Sequence, residues 1–406
     1  MTRSIELTRR SALAAGASIV FAGNTAFAAA DGAMAKRKMV VIICRGGMDG
    51  LSVSPPIGDR AYAGLRGDIA IETDKALKLD GDFSLHPKLA AVHALALKGE
   101  ARIAPAIASP DRARSHFEAQ DVLESGGAVV YGTSSGWLNR ALEALPAGRK
   151  ASALSVGGQA PLILRGKVQA ASWSPGMNTR GERLPMILAD LYAHDALLSR
   201  ALASGLETES MAQTATAGMT PAMARPGGGG GGGQGGAAAG KQLGTTVANF
   251  MTAPDGPQVI ALSLDGFDTH ANQGAADGQL ATRLAYMDGV IDGLATGLGP
   301  EWKNTVVVAA TEFGRTARIN GTRGTDHGTA STALILGGGL KKGGIVGDWP
   351  TLQSGKLFEG RDTAPTLDLR GLFKGVLAEQ FGLERRALDG PVFPDSAAVA
   401  PVMGLV

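Results

Sequence analysis

Short apolar segments that end directly in acidic residues and histidine are the feature that most restricts the fold of this chain. In Val259–Leu264 five of the six residues are apolar, and Asp265, Asp268 and His270 follow within six positions. An apolar run of this length is typical of a strand that is buried on both faces. Side chains that follow such strands collect at one edge of an open α/β sheet. The sequence therefore predicts a polar site at that edge.

The same pattern recurs along the chain. Further strands are predicted at residues 39–44, 101–108, 305–311 and 333–336. Between the strands, apolar residues recur at helical spacing, as they do from Leu280 to Leu298. Alternating strands and helices indicate a mostly parallel sheet with helices on both faces, which is a three-layer α/β sandwich. We predict a single domain of this class over residues 36–390.

The first 30 residues are predicted to be an export signal. A twin-arginine motif at Thr8–Ser11 precedes a small, apolar stretch at 14–21, and Ala26–Ala28 offers a cleavage site. The apolar stretch is too short and too rich in alanine and glycine to span a membrane. We therefore expect the twin-arginine translocase to export the protein, as a folded chain, to the periplasm or the medium.

Composition excludes two classes of function. The formal net charge is only +2, and no stripe of lysine and arginine with interleaved aromatic residues is present. The protein is therefore not expected to bind nucleic acid. The single cysteine, Cys44, lies in an apolar strand. It is expected to be a buried hydrophobic residue, without a disulfide partner and without a role as nucleophile.

Two segments are predicted to lie outside the packed domain. Residues 212–240 include the unbroken glycine run Gly227–Gly233. Such a segment buries too little surface to offset its backbone entropy, so we predict a flexible surface insertion. The polar residues 391–406 are predicted to form a tail.

Candidate metal ligands and a candidate nucleophile follow the predicted strands or begin a helix. They are Asp49, Ser115, Asp265, Asp268, His270, Glu312, Asp326 and His327. A mixture of carboxylates and imidazoles suits a divalent Zn, Mn or Mg ion, which can activate a hydroxyl group among them. For Asp49 a second interpretation stands equally, because an aspartate after Gly46–Gly47 can simply satisfy the backbone of a tight turn.

Ser115 also has two interpretations. With Glu118 three residues later it resembles a capping box, which places the serine at the start of a helix that runs to about Leu123. In that case the serine is only the helix N-cap. Alternatively, the hydroxyl lies where the helix dipole favours negative charge, as a nucleophile in phosphoryl or sulfuryl transfer requires.

A set of motifs resembles one protein family. The motifs are Arg45–Leu51, Ser115–Phe117, Gly136–Arg140, Asp268–His270, Thr311–Arg315 and Thr325–Gly328. They occur in the order seen in the exported bacterial family called domain of unknown function 1501. That family is similar to the alkaline phosphatase and sulfatase superfamily, whose metal ligands lie at the carboxyl ends of sheet strands. The resemblance covers essentially the whole chain after the signal and implies an alkaline phosphatase/sulfatase-like fold.

The resemblance implies roles for individual residues. Asp49 matches the aspartate after the first strand, and Asp265 or Asp268 with His270 matches the later acid and histidine. His327 matches the late histidine that precedes a glycine. Ser115 is the nearest candidate for the nucleophile.

The chain also departs from the superfamily pattern. Glu312–Phe313 stands where the superfamily has aspartate and histidine, so His116 or Asp326 is expected to replace the missing ligand. The sulfatase signature Cys/Ser-x-Pro-x-Arg is absent, which excludes a formylglycine nucleophile. Arg315 or Arg114 is expected to bind the anionic group of a substrate.

Two functions remain open at this stage. The first is a periplasmic, metal-dependent hydrolase or transferase that acts on a small-molecule or envelope phosphate or sulfate ester. The second is an envelope protein that keeps the fold as a binding or assembly module. The resemblance also implies a second exported protein as a partner.

Overall fold

The computed structural model describes residues 36–146, 151–157, 161–175, 183–192, 194–216 and 236–406. The predicted export signal lies outside these ranges, as does most of the predicted glycine-rich insertion. The two ends of that insertion are helical, because Ala196–Ala215 forms one helix and Ala237–Thr252 the next. The predicted insertion, 212–240, is therefore too long at both ends.

The strands, in chain order, are β1 Lys38–Cys44, β2 Leu77–Lys78, β3 Ser84–Leu85, β4 Ala101–Ala108, β5 Ala153–Val156, β6 Ala171–Trp173, β7 Val259–Leu264, β8 Thr305–Ala310, β9 Ser331–Leu336, β10 Gly344–Ile345 and β11 Leu367–Asp368. The α-helices are α1 Gly50–Val53, α2 Tyr62–Arg66, α3 Ala90–Leu97, α4 His116–Ser125, α5 Trp137–Glu143, α6 Arg183–Tyr192, α7 Ala196–Ala215, α8 Ala237–Thr252, α9 Gln279–Leu298, α10 Leu369–Phe381 and α11 Arg385–Ala387. Shorter helical turns connect several of them.

The described residues form one large sheet with strand order β10-β4-β9-β8-β1-β7-β5-β6, and β11 pairs with β4. Its central strand β1 runs parallel to both neighbours, β7 and β8. Only β9 runs against its neighbours, β4 and β8. The prediction of an α/β fold with a mostly parallel sheet is confirmed.

Helices cover both faces of this sheet. Alternate residues of β1 belong to two separate hydrophobic clusters because successive side chains of a strand point to opposite faces. Ile42 packs in the cluster that contains Leu284 of α9. Val41 packs in the cluster that contains Val376 of α10. All four are at most 1% exposed, and the two clusters make this a three-layer sandwich, as predicted.

The carboxyl-terminal residues 391–406 are part of the packed domain, which corrects the prediction of a tail. Phe393 is fully buried, and its ring stacks on Trp137 with centroids 5.3 Å apart. The buried Lys374 of α10 donates its Nζ hydrogens to the carbonyl oxygens of Ser396 at 2.7 Å and Val399 at 3.0 Å. Buried apolar residues such as Phe393, together with Lys374, therefore fix residues 391–406 to the domain, although this segment is polar on average.

No helix within the described ranges is both long enough and apolar enough to cross a membrane.

Neighbouring strands bring the candidate site together at one edge of the sheet. Cys44 at the end of β1 pairs with Leu264 at the end of β7, and Ile43 pairs with Ala310 at the end of β8. The segments that follow these three strands therefore leave the sheet side by side. Because β9 runs the other way, the segment before it, 325–328, begins at the same edge. The segment 109–115, which follows β4, reaches this edge as well.

Candidate metal centre

Three side chains from three different segments converge at this edge. His116 is the first residue of α4, Asp268 follows β7, and His327 precedes β9. One possible ligand atom from each lies within 4.8 Å of the other two. Asp268 is the centre of the group, with its Oδ2 3.4 Å from His116 Nε2 and its Oδ1 3.4 Å from His327 Nε2.

His270 adds a fourth side chain to this cluster. Its Nε2 lies 3.0 Å from Asp268 Oδ1 and 2.9 Å from His327 Nε2. Two imidazole nitrogens that face each other so closely must share a proton or a cation. Two histidine ligands of one tetrahedral zinc ion, with Zn–N bonds of about 2.0–2.1 Å, place their nitrogens about 3.3 Å apart. The spacing of the two nitrogens is close to that of ligands to one ion.

The hydrogen bonds of the Nδ1 atoms show which ring nitrogen of His116 and of His327 carries the proton. His116 Nδ1 lies 2.8 Å from Glu312 Oε1, and His327 Nδ1 lies 2.8 Å from the carbonyl oxygen of Arg114. Since an ionised carboxylate and a carbonyl only accept hydrogen bonds, both Nδ1 atoms carry the proton. The Nε2 lone pairs then point into the cluster. Metal-binding histidines are held in this way, with the other ring N–H bound to a carboxylate or carbonyl.

One nitrogen of the cluster lacks a hydrogen-bond partner, although a carboxylate oxygen of Asp268 lies 3.4 Å away. His116 Nε2 is buried, and no atom of the described chain forms a hydrogen bond with it. A buried polar atom without a partner costs about 1–3 kcal/mol. A cation between this nitrogen and the Asp268 carboxylate satisfies both. The imidazole and carboxylate donors therefore fit a divalent ion such as zinc or manganese.

Charges around the cluster keep Glu312, Asp268 and His327 in the forms that suit a bound metal. Burial disfavours ionisation of Glu312, but hydrogen bonds from His116 and Gly46 N–H outweigh it and hold the pKa of Glu312 below its usual value. Likewise, burial of Asp268 is outweighed by Arg315, which lowers the pKa of Asp268. Burial lowers the pKa of His327, and the positive charge of Arg315 adds to that shift. Two carboxylates are thus ionised at neutral pH while His327 is neutral.

Glu312 lies behind His116. Its Oε1 accepts from His116 Nδ1 and, at 2.8 Å, from the backbone N–H of Gly46. Its Oε2 accepts from the hydroxyl of Thr311 at 2.9 Å. Glu312, which the sequence predicts as a metal ligand, therefore orients the ring of His116, and its hydrogen bond raises the pKa of His116.

Asp49 belongs to a different, fully buried polar group. It forms an ion pair with Arg66 of α2, and both side chains are at most 1% exposed. It also accepts hydrogen bonds from Ser52 Oγ at 2.8 Å and Gln273 Nε2 at 2.7 Å. Its charge is neutralised by an arginine, so the prediction that Asp49 is a metal ligand is corrected. The sequence held no signal that Arg66 would reach this strand end.

Two further predicted acids do not join the cluster directly. Asp265 is exposed to solvent just after β7. Asp326 lies on the outer side of His270, with its Oδ1 3.4 Å from His270 Nδ1. It also accepts from Asn320 Nδ2 at 3.0 Å, and Asn320 holds the carbonyl oxygen of His270 as well. Asn320 was not predicted, because an asparagine in a glycine-rich loop normally indicates only a turn.

Ser115 lies at the N-cap position of α4, as predicted, but its side chain forms no capping hydrogen bond. The capping box is therefore wrong, and the helix continues to Ser125. Ser115 stands between two residues that shape the cluster. The carbonyl of Arg114 holds His327, and His116 belongs to the cluster.

Arg315 is buried and fully engaged, which corrects its predicted role in binding a substrate. Its guanidinium donates to the carbonyl oxygens of Gly47 at 2.7 Å and Thr325 at 2.9 Å, and it forms an ion pair with Asp268. It joins three of the segments that build the site and fixes Asp268. Because the side chain is only 1% exposed, it does not reach a substrate.

Arg114, the other predicted clamp, is held by carboxylates. Its Nε donates to Asp362 at 3.0 Å, and its Nη2 donates to Glu359 at 2.6 Å.

Comparison with known families agrees with the motif pattern. Residues 36–392 match the model of a family described as a protein of unknown function, DUF1501. The chain belongs to the DUF1501 family. The family predicted from the motifs is thereby confirmed. Curated protein sequences give no match to this DUF1501 chain.

Several solved structures are similar to this DUF1501 protein at low identity. The C-terminal periplasmic domain of EcEptC from Escherichia coli is 10% identical, with a TM-score of 0.41, over 88% of this chain and 86% of that chain. The phosphonate monoester hydrolase SpPMH from Silicibacter pomeroyi is 12% identical, with a TM-score of 0.38, over 90% and 76% of the two chains. An alkaline phosphatase from the Antarctic bacterium TAB5 is 11% identical, with a TM-score of 0.33, over 76% and 93%.

Proposed function

We propose that this DUF1501 protein is a metal-dependent hydrolase of phosphate or sulfate esters. One observation carries the proposal, namely that possible ligand atoms of His116, Asp268 and His327 lie within 4.8 Å of one another, with His270 Nε2 2.9 Å from His327 Nε2. One of these nitrogens, in His116, is buried without a hydrogen-bond partner. Buried polar atoms are normally hydrogen-bonded, and this unpaired nitrogen lies 3.4 Å from the Asp268 carboxylate, where a cation would be held by both.

The proposed ligands are His116, His270, His327 and Asp268. A divalent ion held there supplies a polarised ester oxygen and a lower pKa for a bound water or hydroxyl group. The chain supplies the orientation. Glu312 and the carbonyl of Arg114 hold two of the imidazoles, and Arg315 holds the carboxylate. Because Asp49 is neutralised by an arginine, the proposed site holds one ion.

The nucleophile in this proposal is the hydroxyl of Ser115. Its place at the start of a ten-residue helix puts it where partial positive charge favours the alkoxide. Its neighbour His116 provides a ligand, so the serine is anchored beside the cluster. Attack of the serine oxygen on phosphorus or sulfur would form a new O–P or O–S bond and break the bond to the alcohol oxygen, and the serine proton would pass through water to the released alcohol. Water would then attack the same phosphorus or sulfur, break its bond to the serine oxygen, return a proton to that oxygen and release phosphate or sulfate.

Export is part of the proposal. The twin-arginine motif predicts passage of a folded protein through the twin-arginine translocase, which suits a site that is filled before export. The substrate class is then a small-molecule or envelope ester met outside the cytoplasm. The second exported partner remains a prediction from the family resemblance.

A second function is favoured by a specific observation. Both arginines near the cluster, Arg114 and Arg315, are held by carboxylates or carbonyl groups, so neither is free to bind the anionic group of an ester. A protein that uses its metal only to stabilise a binding or assembly surface needs no such cation. This alternative predicts a bound metal without hydrolysis.

Hydrolysis assays on natively exported protein separate the two functions. The substrates are 4-nitrophenyl phosphate and 4-nitrophenyl sulfate, and the variants are His327→Ala and Ser115→Ala. We expect wild type to hydrolyse at least one ester, and each variant to be slower by about 100-fold or more, the cost of losing a group that stabilises the transition state.

The control is His194→Ala, an exposed histidine outside the cluster, which should match wild type. Equal background rates in all four proteins, with metal bound to wild type, would reject the hydrolase and leave the binding module.

A further inference from the structure

Arg45 opens the first of the sequence motifs and lies at the carboxyl end of β1. Its backbone is fixed to the end of β7 and to the segment that follows it. Its N–H donates to the carbonyl oxygen of Leu264 at 2.8 Å, and its own carbonyl oxygen accepts from the N–H of Phe267 at 3.2 Å. Because Asp268 is the next residue after Phe267, Arg45 keeps a constant place beside the cluster.

The side chain of Arg45 is held by helix α4. Its Nη1 donates to Gln120 Oε1 at 2.8 Å, and its Nη2 forms an ion pair with Glu124. The Glu124 side chain is only 3% exposed, and its Oε2 also accepts from the backbone N–H of Ile163 at 3.1 Å. The guanidinium is thus fixed by two side chains of one helix, and one of its donors points at Gln120.

Three polar side chains of α4 share one face. His116, Gln120 and Glu124 are spaced by four residues, which makes successive members neighbours on the helix surface. His116 and Gln120 both contact Glu312, which follows β8. Glu124 contacts Arg45, which follows β1. The face therefore connects the metal centre at one end to a largely buried ion pair at the other.

Gln120 joins this ion pair to the carboxylate behind His116. Its Nε2 donates to Glu312 Oε1 at 3.3 Å, and its Oε1 accepts from Arg45. A guanidinium has only donors and an ionised carboxylate has only acceptors, so both neighbours require the same orientation of the amide. The amide cannot turn over without losing both hydrogen bonds.

The Oε1 atom of Glu312 accepts three hydrogen bonds. The donors are His116 Nδ1 at 2.8 Å, the N–H of Gly46 at 2.8 Å and Gln120 Nε2 at 3.3 Å. Glu312 is fully buried, so solvent does not readily replace a donor that is lost, and a buried acceptor without its donor is costly. The position of this carboxylate, and with it the ring of His116, therefore depends on Gln120.

We propose that Gln120, oriented by Arg45, is a positioning residue of the metal centre. It holds Glu312, and Glu312 holds the imidazole of His116 towards the ion. This inference rests on the proposed function, since it concerns the same metal ion. It predicts that a glutamine outside the proposed ligand set contributes to the affinity for zinc.

Zinc affinity in a double-mutant cycle tests this chain of contacts. The cycle compares natively exported wild type, Gln120→Leu, Glu312→Gln and the double variant by competition with a chelator of known affinity. We expect Gln120→Leu alone to weaken zinc binding about 5-fold, less than the loss of about 10-fold or more that is typical when a ligand histidine loses its direct partner. In the Glu312→Gln background the same substitution should change the affinity by less than about 2-fold, because the charge that Gln120 holds is gone.

A second variant repeats the test with a side chain of nearly the same shape. Gln120→Glu keeps an acceptor for Arg45 and loses the donor to Glu312, so it should weaken zinc binding at least as much as Gln120→Leu. The matched control is Gln213→Leu, which changes an exposed glutamine of α7 and should leave the zinc affinity as in wild type. The proposal is overturned if both Gln120 variants bind zinc as tightly as wild type, or if Gln120→Leu weakens binding equally in both backgrounds.

The metal-free protein separates a failure of this proposal from a failure of the hydrolase. The sequence has six histidines, so isotope-labelled histidine gives few ring signals in NMR spectra, and the Nδ1–H signal of His116 is the one lost in His116→Ala. We expect this proton to exchange with solvent faster in Gln120→Leu than in wild type and Gln213→Leu. That difference without ester hydrolysis supports the positioning role and rejects the hydrolase. Equal exchange rates in all three proteins overturn the positioning role, whether or not zinc binds.

Discussion

Glu312 shows how one buried carboxylate sets the state of a neighbouring imidazole. It is fully buried, it accepts from His116 Nδ1 at 2.8 Å, and its pKa is held below the usual value. A negative charge at this position makes His116 more basic, so that its Nε2 donates an electron pair to a metal ion more strongly. The residue therefore acts on the metal through the histidine.

We predict that Glu312→Gln lowers the affinity for zinc about 10-fold or more, because residues that hold a ligand histidine typically contribute that much. Competition with a chelator of known affinity measures the change. Glu118→Gln is the control, since Glu118 lies on the same helix without a contact to the cluster. Equal zinc affinities of the two variants would show that Glu312 has only a packing role.

Single residues were predicted unevenly from the sequence. Asp268, His270 and His327 could be predicted because each follows or precedes a recognisable strand. Arg315 and Asp49 were predicted near the site with the wrong roles, since a sequence does not show which buried charges will meet. Asp49 meets Arg66, which is 17 residues away in the chain and belongs to another element.

At the scale of elements, glycines let the segments of the site approach closely. Gly328 directly follows His327 and lies against the backbone of Arg315, where an added Cβ would be 2.3 Å from a carbonyl carbon. Arg315 and His327 form an isolated β-bridge at this point. The contact joins the segment after β8 to the segment before β9.

We predict that Gly328→Ala lowers the free energy of unfolding by about 1–3 kcal/mol, the usual cost of overpacking a close contact. It should also release the metal, because His327 moves with its neighbour. Urea unfolding and metal content measure the two effects. Gly321→Ala in the same loop is the matched control, because a Cβ there meets no atom within 4 Å. If Gly328→Ala and Gly321→Ala have the same free energy of unfolding, the close contact between Gly328 and Arg315 does not contribute to stability.

Another element-scale contact fixes the carboxyl-terminal segment. Glu379 of α10 accepts hydrogen bonds from the backbone N–H groups of Gly404 at 2.9 Å, Leu405 at 2.7 Å and Val406 at 3.0 Å. Burial opposes ionisation of Glu379, but these bonds and Lys341 outweigh it and lower its pKa. The ionised carboxylate is thus stabilised in the folded state.

We predict that Glu379→Gln costs about 1–2 kcal/mol of stability at pH 7. A lowered folded-state pKa means that the contribution is complete above the unfolded value of about 4.3 and is lost as the pH falls through the folded value. The stability difference between wild type and variant should therefore narrow below about pH 4, in urea unfolding series. Glu384→Gln, an exposed position, should show no difference at any pH. A stability difference between wild type and Glu379→Gln that stays constant at all pH values would contradict a stabilising role for the ionised Glu379 carboxylate.

The positions of the strands were predicted better than their directions in the sheet. The apolar runs located β1, β4, β7, β8 and β9, because buried strands lack polar alternation. That pattern carries no information on direction, so the antiparallel course of β9 was not predicted. Residues 391–406 were predicted as a tail because their average polarity hid the anchors Phe393 and Leu405, which are both fully buried.

At the scale of the whole molecule, the two hydrophobic clusters cover both faces of the sheet and leave its carboxyl edge to the site. The fold class followed from the alternation of strands and helices, since only a few layer architectures bury such elements. The choice of the cluster residues among the predicted candidates did not follow, because it depends on loops whose paths the strands do not determine. The central claim of this account is that these loops build one binding site for a divalent ion.

Metal analysis of natively exported protein tests that claim most directly. We predict about one equivalent of a divalent metal per chain in wild type and in His194→Ala. Far less should remain in His116→Ala and in His327→Ala, as each lacks one of the proposed ligands. Wild-type protein without a stoichiometric divalent metal, or variants that retain it in full, would contradict the account.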